Sequence, residues 1–295
     1  MMDQAAPAIA VATDERQVRR KSLLRRLLRK PAAFAGLLVI GIFLVVAIVA
    51  PLIAPYPPTK LIYTAIQQPP TGQHLFGTDD LGRDVLSRVI YGARISMEVG
   101  VIAVAIAMTV GSLLGLFAGF LGGWADTIIM RGMDIMLAFP GILLAIAIVA
   151  ILGPSLANTM IAVGISAIPV YARTVRGAAL TVLGNDYIQA ARALGASPLR
   201  VAFRYVLPNV TAPITVLATV GIATAILTAA GLSYLGLGAQ PPTPEWGAML
   251  SEARAYLRDA WWMATFPGLA IMLVVMAFNL LGDGLRDLWD PRLRR

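Results

Sequence analysis

Residues Asn185–Pro208 read NDYIQAARALGASPLRVAFRYVLP. Asp186 followed three residues later by Gln189 has the pattern of a capping box opening a helix. Ala190, Ala191, Ala193 and Leu194 favour helix, and Gly195 is placed to stop it. Ser197 then caps a second helix with Pro198 at its first position, where the missing N–H costs nothing. Leu207-Pro208 is expected to end that helix, because proline disfavours helical geometry in the residue before it. The first helix, about two turns long, is too short to hold alone in water. It shows small alanines in place of a charged, solvating face. Such a surface suits docking into another protein's groove, or packing as a connector against its own bundle.

Long apolar runs lie on both sides of this segment. The chain of 295 residues is 58% hydrophobic and 14% charged, with mean hydropathy +0.76. Soluble domains hold about 25% charged residues, so much of this apolar surface must face something other than water. A helix crossing a bilayer needs about 20 mostly apolar residues. Six stretches are expected to span: Ala32–Ala54, Ser96–Phe120, Ile135–Leu152, Leu156–Tyr171, Ala212–Leu237 and Trp262–Leu281. Gly153-Pro154-Ser155 separates the third from the fourth as a tight hairpin. The expected fold is therefore all-α and polytopic, with about six transmembrane helices.

Charge orients the bundle. With both ends on one side, that side gathers eighteen Lys and Arg residues and the other six. The positive-inside rule then places both termini in the cytoplasm. Residues 1–31 form a basic arm suited to an anionic leaflet, and 285–295 form a cytoplasmic tail. The apolar run after the arm is too long for a cleaved signal peptide, and nucleic-acid binding is not expected. Residues 32–94 comprise the first span and an outer loop. In that loop Leu81, Val85, Leu86, Val89 and Ile90 recur at helical spacing, with Asp84 and Arg88 as an i,i+4 pair. They read either as a helix in the outer interface or as the start of span two. Residues 95–284 form the five-helix core, in which 172–208 is the cytoplasmic connection. Trp261 and Trp262 fit an outer aromatic belt.

Several chemistries are excluded. There is no cysteine, and the single His74 is expected at the surface. No G-x-x-x-x-G-K-[ST] loop is present, and none of Lys21, Lys30 and Lys60 follows a glycine. ATP hydrolysis therefore belongs elsewhere, and the chain is not expected to be an enzyme. Glu98, Asn158 and Asn279 are polar residues within spans and are expected to serve structural hydrogen bonds. So is an i,i+3 pair of Arg131 and Asp134. Gly111, Gly115 and Gly119 make a small-residue stripe for close helix contact. An ion-coupled secondary carrier is the alternative from another class. It calls for interior ionisable groups, and no convincing mid-membrane charge is visible.

The Asn185–Pro208 stretch resembles the EAA loop of ABC importer permeases: Glu-Ala-Ala, three residues, Gly, nine residues, Ile, one residue, Leu-Pro. Ala190, Ala191, Gly195, Leu207 and Pro208 match it, while Gln189 replaces the glutamate and Tyr205 the isoleucine. His74–Arg94, Trp124–Pro140, Gly236–Leu250 and Asn279–Pro291 are similar to the dipeptide, oligopeptide and nickel branch, closest to its dipeptide C-type members. The resemblance implies a type I ABC importer permease fold in a bacterial inner membrane, importing dipeptides or oligopeptides, with nickel or glutathione as alternatives. It implies a homologous B-type permease, two ATPases that use ATP and Mg, and an extracytoplasmic binding protein as partners. This chain itself would hold no cofactor or metal. Asp186, Gln189, Ala190, Ala191, Gly195, Leu207 and Pro208 would couple it to the ATPases. Glu245 and Trp246 would meet the binding protein or cover the outer mouth.

Overall fold

The computed structural model describes residues 30–289. The expected arm and tail therefore fall mostly outside the described residues. Their inner edges do not: Lys30 pairs with Asp287 at 2.7 Å, and residues 285–289 continue the last helix instead of starting a tail. The described residues are helical, with one isolated bridge between Thr78 and Asp84.

The helices are α1 (Pro31–Ile53), α2 (Val85–Leu121), α3 (Gly123–Leu137), α4 (Gly141–Leu152) and α5 (Leu156–Leu183). They continue as α6 (Asp186–Ala193), α7 (Pro198–Val201), α8 (Leu207–Tyr234), α9 (Trp246–Ala253) and α10 (Trp262–Trp289). Among the described residues, five stretches are long and apolar enough to cross a membrane, or six if the bent pair α3–α4 is one span.

Four expectations need correction here. The interfacial helix does not exist separately: residues 85–94 are the first turns of α2, a helix of 37 residues. At 1.5 Å per residue it is roughly 55 Å long, well beyond a hydrocarbon core of about 30 Å. Its polar first turns overhang the apolar span. The third span is broken, because α3 and α4 meet at 91° across Ala138-Phe139-Pro140. Proline clashes with the preceding turn and donates no N–H, so the helix cannot run through. The fourth span does not stop at Tyr171, and α5 runs on through Arg173 and Arg176 to Leu183. Finally, Leu207-Pro208 does not end a helix. Residues Pro198–Tyr234 form one continuous element with a π-turn at Ala202–Val206. There the Leu207 N–H bonds to the Ala202 carbonyl five residues back, and Asn209 Nδ2 donates to the Tyr205 carbonyl at 2.6 Å. The wider turn makes room for the proline ring, a known use of π-bulges.

Small residues let the long helices approach. A Cβ on Gly115 would lie 2.4 Å from the Ala172 carbonyl oxygen, and one on Gly111 would lie 2.7 Å from that of Ile168. The glycine stripe therefore seats α2 on α5 within this chain. Elsewhere, Gly36 of α1 faces the backbone of α10, and Gly247 of α9 faces Ala230 of α8. The hairpin between α4 and α5 forms as expected. Gly153 has φ +91, and the Ser155 hydroxyl accepts from the Asn158 N–H.

Candidate functional site

Two extramembrane assemblies and one cavity carry the chemistry of the chain. The first assembly is the segment from Asn185 to Val206. Asn185, not Asp186, is the N-cap of α6, and no side-chain capping bond forms there. Instead Asn185 Nδ2 donates back to the Thr181 and Val182 carbonyls, both at 3.0 Å. This ties the start of α6 to the end of α5. The expected capping box of Asp186 and Gln189 is thus absent, because the residue before Asp186 takes the cap position. Both side chains are exposed.

The stop at Gly195 is as read. The Ala196 N–H bonds to the Ala191 carbonyl at 3.0 Å, and the Gly195 N–H bonds to that of Arg192 at 2.9 Å. With Gly195 at φ +82, this is a Schellman turn. Ser197 caps the next helix by accepting from the Arg200 N–H. Ile188, fully buried, anchors α6 in a cluster with Val175, Ala179, Val182 and Val201, and Ala191 on the same helix is also buried. Ala190 and Gly195 are exposed beside Gln189. Leu207 is part-buried and Pro208 exposed, both already within α8, so they do not share the α6 surface.

That surface is more apolar than the alanines alone suggest. Tyr187, Leu194, Leu199 and Phe203 are exposed, Leu194 by 89%. They stand on the helical element that overhangs the spans. In the sequence they look like ordinary apolar positions of a helical pattern, and only the fold shows them uncovered.

The second assembly lies at the opposite end, where the loop before α2 meets α9. Glu245 and Trp246 are inside it. Glu245 is 2% exposed and caps α9 by accepting from the Ala248 N–H, and it also accepts from the Ser96 hydroxyl. Trp246 has no exposure and donates from Nε1 to the Val89 carbonyl at 3.0 Å. A Cβ on Gly92 would lie 2.6 Å from its ring. The expected contact of this pair with a binding protein is corrected: both residues hold α9 onto α2. Trp262 is likewise buried, donating to the Thr78 carbonyl, whereas Trp261 is exposed.

Beside them is a buried ionic network missed from sequence. Glu252 of α9 accepts from Arg83 Nη2 at 2.9 Å and from Arg88 Nη2 at 2.8 Å. Asp79 pairs with Arg83 Nε at 2.5 Å and lies 3.2 Å from Arg88 Nη1. Arg88 has no exposure, and Arg83 has 2%. The expected pair of Asp84 with Arg88 does not form. Asp84 caps α2 through the Ser87 N–H and holds His74 Nδ1 at 2.9 Å. His74 is buried, not at the surface. Burial pushes the Glu252 carboxyl above its usual range, against the pull of Arg88 and Arg83. Asp80 is raised for the same reason, helped by neighbouring Asp79. Asp79, Asp80 and Glu252 come close enough together to resemble a cation site, but the positive charge they face comes from the two guanidinium groups.

A cavity of about 340 Å³ lies at mid-length of the spans, between α2, α4, α5 and α8. Val104, Ile142, Val163, Tyr171, Thr224 and Thr228 are among its walls, and among the described residues no charged side chain lines it. Tyr171 crosses to α8 and donates to the Leu217 carbonyl. Such a space can take a small solute without imposing charge selectivity.

The family model described as "Binding-protein-dependent transport system inner membrane component" matches residues 111–295. A second, described as "N-terminal TM domain of oligopeptide transport permease C", matches residues 20–70. A dipeptide transport system permease protein of Alkalihalophilus pseudofirmus is 48% identical over 274 residues, covering 93% of this chain and 90% of the relative. A glutathione transport system permease protein of Escherichia coli is 52% identical over 271 residues, covering 92% and 89%. Among solved structures, an inward-facing conformation of the MetNI methionine ABC transporter aligns with a TM-score of 0.56 at 21% identity. It covers 70% of this chain and 98% of the other. That likeness concerns the fold.

Proposed function

This chain belongs to the binding-protein-dependent transport system inner membrane components, the permeases of ABC importers, and we propose that what it passes across the membrane is a small peptide. The names of the dipeptide and glutathione relatives support this reading, since glutathione is itself a tripeptide. The uncharged cavity wall is compatible with it. A path that must accept many side chains cannot commit to one charge, so selection belongs to a binding protein.

The observation that carries the mechanism is the α6 surface. Ile188 roots the short helix in its own bundle and Ala191 is buried, while Tyr187 on it and Leu194, Leu199 and Phe203 just after it are exposed. Apolar side chains on an extramembrane element fit a protein groove better than water. In this reading the groove belongs to an ATPase subunit. Asp186, Gln189, Ala190, Ala191 and Gly195 contribute the backbone path and the turn. ATP binding by the ATPases then shifts a packing equilibrium between two accesses of the pathway. A homologous permease completes the path, and an extracytoplasmic binding protein delivers the peptide. The excess of Lys and Arg on the α6 side supports a cytoplasmic position for that end and for both termini in a bacterial cell. The α9 end then faces outward, and the Arg83–Arg88–Glu252 network fastens the outer loop to the core.

The test is substitution on the exposed face of α6. Gln189→Trp keeps the buried anchors but adds bulk to the docking face. The expected result is membrane insertion as in the wild type with ATP-driven uptake lost. Uptake at the wild-type rate refutes docking through this face. Competition between labelled dipeptide and unlabelled glutathione in the wild-type system decides which peptide it prefers.

A further inference from the structure

We propose that Arg173 and Arg176 of α5 are positioning residues that make α3 a strut, carrying the displacement of α6 to the break at Pro140 inside the membrane. The proposal rests on the reading of α6 as the ATPase-docking helix, and it concerns how movement leaves that helix.

The α3 helix is held loosely along its length. Of its fifteen residues only Met133 is buried, against Ile168 and Ala172 of α5. At its start, Gly122 and Gly123 have φ +62 and +55, with open space around both. At its end the chain turns through 91° into α4. The start of α3 therefore allows reorientation, because glycine adopts these dihedrals without a steric cost and no packing fixes them, while the end is a fixed corner that moves with the helix.

Beyond the apolar seam at Met133, which Met130 and Met136 join, two ion pairs tie α3 to α5. Both carboxylate oxygens of Asp126 accept from Arg176, from Nε and Nη2, at 2.5 Å. Arg173 donates to Asp134 eight residues further along the same helix. A bidentate guanidinium–carboxylate pair fixes orientation as well as distance. The expected i,i+3 pair of Arg131 with Asp134 is replaced by this cross-helix link.

The same two arginines stand on a body continuous with α6. Arg176 lies about two turns before the end of α5. From there Asn185 clamps α6 to the Thr181 and Val182 carbonyls, and Ile188 packs with Val175, Ala179 and Val182. A push on α6 thus moves the inner half of α5, and the two ion pairs make α3 follow. The far end of α3 is the break, and Gly141 and Ile142 just past it line the cavity. Movement of α3 thereby changes the cavity wall.

The test uses this chain assembled with its partner permease and ATPases in proteoliposomes, scoring radiolabelled dipeptide taken up per ATP hydrolysed. Arg176→Gln and Asp126→Asn are expected to lower that ratio at least five-fold with complex assembly retained. The exchanged pair, Asp126→Arg with Arg176→Asp, is expected to restore it to within two-fold. The chain has no cysteine, so spin labels on Thr127→Cys in α3 and Leu227→Cys in α8 report the strut directly. Their separation is expected to change on ATP binding in the wild-type background and to change by less than half as much with Arg176→Gln. A coupling ratio unmoved by both single substitutions overturns the strut. So does an exchanged pair that fails to restore a ratio both singles have lost, since the pair then serves packing alone. A wild-type complex with no ATP-driven uptake overturns the transport reading and the strut with it.

Discussion

Glu252→Ala removes the acceptor that two buried guanidinium groups share. Arg88 has no exposure, and its Nε already lacks a partner. Without Glu252 its remaining contact is Asp79 at 3.2 Å. Arg83 loses its 2.9 Å bond but keeps Asp79. Removing one partner of a buried ion pair costs about 3–5 kcal/mol, chiefly because a desolvated charge is left behind. Glu252→Gln keeps the shape and one acceptor oxygen, so its cost is expected near 1–3 kcal/mol. The assay is equilibrium unfolding in mixed detergent micelles followed by circular dichroism. A double-mutant cycle with Arg88→Met sharpens it, because the double variant no longer strands a charge. Coupling of at least about 1 kcal/mol is expected, within the range for residues in contact. Stability of Glu252→Ala within about 0.5 kcal/mol of wild type, or strict additivity in the cycle, refutes the reasoning.

Three further outcomes follow from the same structure. Gly115→Leu places atoms against the Ala172 carbonyl, which backbone cannot yield, and costs more than the roughly 1–3 kcal/mol of ordinary overpacking. Gly119→Ala, whose new Cβ would sit 3.3 Å from that of Ala179, is far milder, and the two are compared by the same unfolding assay. Leu194→Asp with Phe203→Asp charges exposed apolar positions of the Asn185–Val206 segment and is expected to abolish co-purification of the ATPases while the chain still inserts in the membrane. For pH, the raised Glu252 and Asp80 carboxyls bind protons more tightly in the folded chain than in the unfolded. Their contribution is therefore fully present below the ordinary values of 4.5 and 3.8 and is lost as pH rises through the higher folded values. Glu252→Gln is expected to flatten that part of the stability–pH curve.

Spans were legible because length and apolarity are dictated by the bilayer itself. The α4–α5 hairpin and the Gly195 turn were legible because Gly, Pro and Ser leave local marks. The misreadings share a cause, which is that local marks were overridden by tertiary partners. Arg173 and Arg176 looked like residues leaving the membrane, yet Asp134 and Asp126 let α5 carry them. The spacing of those two aspartates, two turns apart on one face, was the available signal. Pro208 looked like a stop, yet a π-turn and Asn209 absorb it. Pro140 gives little warning of the break, because the apolar run continues on both sides. Glu245, Trp246 and His74 were placed outside because polar loops are usually wet. Nothing local announces that α9 folds back over the start of α2. The apolar character of the Asn185–Val206 segment is written in Tyr187, Leu194, Leu199 and Phe203, but only the fold shows that they are left uncovered.

The most direct test of the account is ATP-dependent uptake of a labelled dipeptide into proteoliposomes, measured with each component left out in turn. Uptake that requires this chain, its partner permease, the ATPases and the binding protein together is the predicted result. Uptake by this chain alone, driven by an ion gradient and indifferent to ATP, contradicts it.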